Sequence, residues 1–337
     1  MVGEMRERAQ DLIERSFVWD NHACMPLRYG DETFLPELAR AKESGFSAVT
    51  LNLGFGDQAP EEHLRMAAWF RRWLRQHNRD FMLVTSAQEL DKARRTGRVA
   101  VLFDIEGAVA IGDQLSLIEM YRDLGVTWML LVYNRSNSVG SGCMDEHDGG
   151  LTAFGREVVA EMNRVGMTLC LSHTGERTAR EALDASARPM IFSHSNCGAV
   201  FPHPRNISDD MIKACAARGG VVGINGLGNF LGEDGAPLVP AILRHIDHAV
   251  QLVGPRHVGL GLDYVYDQEE LREYLRSKPE LFPGGLPDSL PFVAPEALPD
   301  IVEGMLALGY SDDDVALVLG GNWLRVLGGN WTATHPD

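Results

Sequence analysis

The 337-residue chain is short of positive charge: 31 Lys and Arg stand against 47 Asp and Glu, a formal net charge of −16. A general nucleic-acid binder needs a basic footprint, so that class is disfavoured. A single placed arginine can still hold a small anionic ligand. Cysteine is sparse as well. Cys24, Cys143, Cys170, Cys197 and Cys215 are odd in number and form no CxxC pair. Neither a disulfide framework nor a zinc ribbon follows, and a reducing cytoplasm is the simplest compartment. No uncharged apolar run approaches the roughly 18–20 residues of a membrane-spanning helix, so no membrane partner is expected. The opening MVGEMRERAQDLIERSF lacks the apolar stretch of a secretory signal. Repeats and low-complexity tracts are absent too.

What is present is a globular composition, 45% hydrophobic and 23% charged, arranged as an alternation. Short apolar runs occur at 17–23, 47–53, 99–106, 126–134, 167–173, 189–195, 220–226 and 257–264. They are continuous rather than cleanly alternating, which suits strands buried on both faces of a parallel sheet. Amphipathic segments lie between them. Val158, Val159, Met162 and Val165 recur at helical spacing before Gly166, a fitting C-cap. Ser208 is placed to cap a second helix that ends at Gly219, and a third covers 240–254. Eight strands interleaved with helices predict an α/β fold, a (β/α)8 TIM barrel forming one domain over 1–337. The stretch from about 265 to 300 holds six of the 16 prolines and reads as an irregular excursion. Residues 301–328 read as a helical tail packed on the barrel wall, with Ser311 capping one of its helices.

Polar residues able to bind metal or move protons sit at the C-terminal ends of the apolar runs: His22, Glu106, His173, His194 and Asp263. In a (β/α)8 barrel those ends converge on one face, where the active site lies. A charge closing a buried strand is costly unless it is paired or bound to a cation. Imidazoles and carboxylates on one rim therefore point to a divalent metal.

Longer motifs carry a resemblance. IEGAVAIG (105–112), NRSNSVGSG (134–142), GLTAFGREVVAEMNRVGM (150–167), HPRNISDDMIKA (203–214), HIDHAVQLVGPRHVGLGLDY (245–264) and LGGNWLRVL (319–327) span nearly the whole chain. In these segments the chain resembles the membrane (renal) dipeptidase family, zinc peptidases of the amidohydrolase-like barrel superfamily. The resemblance implies a metal-dependent barrel that cleaves a dipeptide or dipeptide-like amide. It implies His22 in a first metal site, Glu106 bridging two zinc ions, and His173 and His194 on the second. By the same token Arg205, in HPRN, holds a substrate carboxylate, and Asp263 accepts and donates the proton. Dimers are common in the family, so a homodimer is an assembly it allows.

Two positions depart from the family pattern. Its His-x-Asp reads His22-Ala23-Cys24, putting a thiol where a carboxylate belongs. Cys24 as a thiolate is a good zinc ligand; as a buried thiol it leaves one zinc on Glu106, His173 and His194; a site without metal is the third reading. The family's substrate-facing His-Asn reads Tyr133-Asn134. A phenol there can donate the same hydrogen bond to a developing oxyanion, or simply pack on the rim. One or two zinc ions, and a small substrate bearing a carboxylate, are thus expected.

Overall fold

The computed structural model describes residues 2–232, 235–281 and 289–331. Each expected apolar run contains a strand. The strands are β1 (Trp19–Cys24), β2 (Ala48–Phe55), β3 (Phe81–Leu83), β4 (Val99–Glu106), β5 (Val126–Leu130), β6 (Thr168–Cys170), β7 (Ile191–Phe192), β8 (Val221–Ile224), β9 (Val258–Leu260) and β10 (Tyr264–Val265). All pair in parallel, and Asp20 opposite Leu260 joins β1 to β9 and closes an eight-stranded barrel. β3, which the sequence reading missed, lies off this ring against the start of β4, and β10 pairs with the end of β1.

Burial on both faces explains the unbroken apolar runs. Along β4, Val99, Val101, Phe103 and Ile105 pack outward in the main core. Ala100 and Leu102 point inward and join Trp19, Trp128, Ile191, Val221 and Trp323 in a second cluster that fills the barrel. Trp323 corrects one expectation. The tail does not only lie on the wall: its last helix, Asn322–Trp331, drives this indole into the bottom of the barrel, where Nε1 donates to the Leu260 carbonyl at 3.0 Å. Glycine at 259 makes room, since a Cβ there would meet the indole ring.

The helices form where their signals stand. Ala153–Val165 is capped by the Thr152 side chain and ends at Gly166 in the left-handed conformation. Ser208 accepts from the Met211 amide to cap Asp209–Ala217. Ser311 and Asp314 form a capping box for Asp312–Ala316. The excursion is less irregular than its prolines suggest. Asp267 accepts from the Glu269 and Glu270 amides and starts a ten-residue helix, Gln268–Ser277; residues 282–288 of that stretch lie outside the described residues. Among the described residues no helix is long and apolar enough to cross a membrane.

Candidate active site

Strict alternation from inward-facing Trp19 would turn His22 out into the wall. The pairing of β1 with β2 slips between Asp20 and Ala23, and this irregularity brings His22 into the barrel while Ala23 packs outward. His22 is fully buried beneath the C-terminal mouth. Its Nδ1 donates to Asp104 Oδ2 at 3.0 Å, which aims Nε2 up into the mouth. Asp104 lies two residues before Glu106, so β4 presents both acids to the same face. Asn52 of β2 donates to the other Asp104 oxygen at 2.9 Å.

Glu106 is the centre of the arrangement. Its Oε1 lies 3.5 Å from His22 Nε2, 3.4 Å from His173 Nε2 and 3.2 Å from His194 Nε2. Yet this oxygen is buried without a hydrogen-bond partner. The two remaining imidazoles are oriented from behind: His173 Nδ1 is 2.7 Å from Asn134 Oδ1, and His194 Nδ1 is 2.8 Å from Ser193 Oγ. Their Nε2 atoms face each other at 2.9 Å. On the other side of His22 Nε2 stand Asp263 Oδ1 at 3.3 Å and Cys24 Sγ at 3.6 Å, themselves 3.9 Å apart. Asn225 donates to the second Asp263 oxygen at 2.9 Å.

Electrostatics follow from burial. It pushes the Glu106 carboxyl up to about 8 and the Cys24 thiol up to about 12. Burial also holds His173 and His194 well below the usual imidazole range, aided by the cationic Arg205 and His22 nearby. For His22 burial works against charge, but Asp104 and Glu106 outweigh it and hold its pKa well above ordinary. The backbone is strained at the same place. Asn134, His173 and Asp263 are the only non-glycine residues with positive φ among the described residues, at 58°, 61° and 57°. Each follows a barrel strand and turns its side chain back over the mouth. Gly261 allows the last of these turns, since a Cβ there would run into the Ser193 carbonyl beside His194.

These donors suit a metal. Two atoms bound to one zinc at a tetrahedral angle stand about 3.4–3.6 Å apart for nitrogen, oxygen and sulfur ligands. The spacings around Glu106 Oε1 and around His22, Cys24 and Asp263 lie close to that. Both His22–Glu106–His194 and His22–Cys24–Asp263 present one ligand atom each within 4.8 Å of one another. A cation would also give the orphaned Glu106 oxygen its partner.

Above the donors opens a cavity of about 490 Å³ lined by Cys24, Glu106, Tyr133, Asn134, His173, Arg205 and Asp263 among others. Every site residue expected from the sequence is therefore at this mouth; His22 and His194 lie just beneath it, fully buried. Tyr133 stacks on His173 with ring centroids 4.3 Å apart, and burial holds its phenol well above the usual range. Arg205 is buried; Nη2 donates to the His194 carbonyl at 3.3 Å, and Nε has no partner. Sequence reasoning missed Asp104, Asn225 and Ser193. Asp104 was legible, because an acid two residues before Glu106 in a buried strand shares its face; Asn225 and Ser193 carry no comparable signal.

A family model described as membrane dipeptidase, peptidase family M19, matches residues 6–335. Dipeptidase aclJ of Aspergillus oryzae is 35% identical over 236 residues, covering 68% of this chain and 51% of that protein. The chain spans about half the length of the curated relatives it matches. An amidohydrolase from Pseudomonas aeruginosa superposes with a TM-score of 0.88 at 27% identity, over 96% of this chain and 99% of that one. A metallo peptidase from Rhodobacter sphaeroides, liganded with a phosphinate mimic of the dipeptide L-Ala-D-Ala, gives 0.75 at 26% identity, over 94% and 100%.

Proposed function

The chain belongs to the membrane dipeptidase family, and from that premise we propose that it is a zinc-dependent hydrolase of dipeptides or dipeptide-like amides bearing a free carboxylate. One observation carries the reading: side chains from β1, β4 and the loops after β6 and β7 gather on a buried Glu106 oxygen that no other group satisfies. His173, His194 and Glu106 would hold one zinc, and His22 and Cys24, with Glu106, a second. Zinc bound there supplies a Lewis acid and brings the pKa of the attacking water towards 7.

The chain's own groups do the rest. Arg205, with an unused buried Nε, takes the substrate carboxylate and fixes the amide over the donors. Asp263 takes the proton of the attacking water and returns it to the leaving nitrogen, with Asn225 steadying its other oxygen. Tyr133 keeps its proton and donates to the carbonyl oxygen as it gains charge. Water adds across the C–N bond, giving an acid and an amine. The free thiols support a reducing cytoplasm, and the same proposal takes 1–337 as one domain.

The departures at Cys24 and Tyr133 favour a second reading, an amidohydrolase turned to another small N-acyl or modified amino-acid substrate. A silent binding protein is disfavoured by Asp263, which stands 3.3 Å from His22 Nε2 where a proton carrier is useful and a binder needs none. Zinc-loaded protein offered L,L and L,D dipeptides and N-acyl amino acids tests all three. Dipeptide turnover lost on chelation supports the first; turnover of N-acyl compounds alone supports the second; none at all refutes both.

A further inference from the structure

The cavity has two unlike sides. The barrel side carries the donors and Arg205. The opposite side is a separate apolar cluster outside the barrel core: Leu227, Leu275, Leu290 and Phe292, with Phe230 and Leu271 packed against it, and all six line the cavity. Leu271 and Leu275 come from the helix of the excursion. The acids on this side, Asp267 and Glu270, are engaged by Arg28 at 2.8 and 3.4 Å. Asn229 and Tyr274 also line the cavity there, and the remaining contact is apolar.

Phe230 joins the two sides. The Arg205 guanidinium lies over its ring, 5.4 Å from the centroid. A carboxylate held by Arg205 is one bond from its own α-carbon, so the side chain on that carbon meets Phe230 and the cluster behind it. The acyl half of the substrate extends the other way, over the donors towards Tyr133 and Phe55, whose rings are 5.3 Å apart. We infer that this apolar wall selects the leaving amino acid: the substrate ends in a residue with a large apolar side chain and a free carboxylate. The inference rests on the hydrolase reading above and adds the identity of the leaving half.

The test compares kcat/KM for Ala-Gly, Ala-Ala, Ala-Leu and Ala-Phe, with the second residue in L and D forms, on zinc-loaded protein. Burial of a leucine side chain against this wall should raise kcat/KM about 10- to 100-fold over glycine. Leu271→Ala and Leu275→Ala should each cut that Leu/Gly ratio about fivefold. The ratio is taken within one preparation, so loss of folded protein cancels. Leu271 is only partly buried, so one variant survives if the other fails to fold. Equal rates for Gly and Leu, a ratio unmoved in both variants, or selection at the first residue in Leu-Gly over Gly-Gly would overturn the inference while leaving the hydrolase standing. If no dipeptide is cleaved, the dipeptidase reading fails and calorimetry decides the wall. N-acetylleucine binding at least tenfold tighter than N-acetylglycine supports it, and equal affinity overturns it.

Discussion

Cys24 offers the sharpest test of the second metal site. Half-buried in the mouth, the thiol is pushed by desolvation up to about 12. At pH 7.5 it therefore lies about 4.5 pH units short of ionising, on the order of 6 kcal/mol. The favourable pull of His22, already counted in that value, does not offset it. A zinc–thiolate bond can, since structural zinc sites release about 10–16 kcal/mol in total. The sulfur stands 3.6 Å from His22 Nε2, near the spacing of two ligands on one ion. Cys24→Ala should lower zinc from two ions per chain to one, kept by Glu106, His173 and His194, whereas Cys24→Asp should retain two. Mass spectrometry under non-denaturing conditions counts the ions. Cobalt in place of zinc adds a direct readout, a sulfur-to-metal charge-transfer band that Cys24→Asp abolishes. Wild-type protein with one zinc, or cobalt protein without the band, would refute the thiolate ligand.

Four further outcomes follow from the same geometry. Asp263→Asn should cost about 10²- to 10⁴-fold in kcat with zinc content unchanged, and near-normal turnover would remove Asp263 as the proton carrier. Asp104→Asn removes the negative charge and one of the two acceptor oxygens shared by His22 and Asn52, and should weaken zinc about 10- to 100-fold in a chelator competition; unchanged affinity would mean the ring needs no such brace. Tyr133→Phe keeps the stack on His173 but removes the donor, so kcat/KM should fall about 10²-fold, and an unaltered value would retire the oxyanion role. Burial places Glu106 near 8, above its ordinary 4.5. The folded metal-free protein thus binds a proton that the unfolded chain has lost, and its stability should fall as pH rises from about 4.5 to 8. The zinc on Glu106, His173 and His194 must displace that proton, so its affinity should rise by up to about tenfold per pH unit towards pH 8 and then level off, whereas the zinc on Cys24 should keep gaining above pH 8, because that thiol is pushed up to about 12. Calorimetry at pH 6.5 in buffers of different ionisation heat should report proton release, and buffer-independent heats would contradict it.

The barrel was legible because its strands are buried on both faces, and continuous apolar runs report that directly. The five charged or imidazole positions at the run ends were legible for the reason they are costly: a buried strand tolerates them only with a partner. Other features leave no such trace. β3 is three residues long and depends on β4 for its pairing. The helix at Gln268–Ser277 runs just ahead of a proline-rich stretch and is set by its Asp267 cap and by docking over the mouth. The apolar wall could not be read either, since Leu271, Leu275 and Phe292 look like any core residues until the fold turns them towards a cavity.

Backbone strain ties these observations into one argument. A non-glycine residue at positive φ costs on the order of 1 kcal/mol, and three of them surround one cavity. Asn, Asp and His are the side chains that enter this conformation most readily after glycine, but chance would scatter them over separate loops, whereas Asn134, His173 and Asp263 all line one cavity. Each is held by a specific bond: His173 Nδ1 to Asn134 Oδ1 at 2.7 Å, and the Asp263 amide to the His22 carbonyl at 2.9 Å. Asn134 is itself strained and donates onward to the Leu281 carbonyl of the excursion at 3.1 Å. The strained residues thus form a chain from the imidazoles to the segment that carries the apolar wall. A fold that only needed stability would relax these turns with glycine. Keeping side chains there is worthwhile if their atoms have work at the mouth, and the orphaned oxygen of Glu106 marks where that work is done.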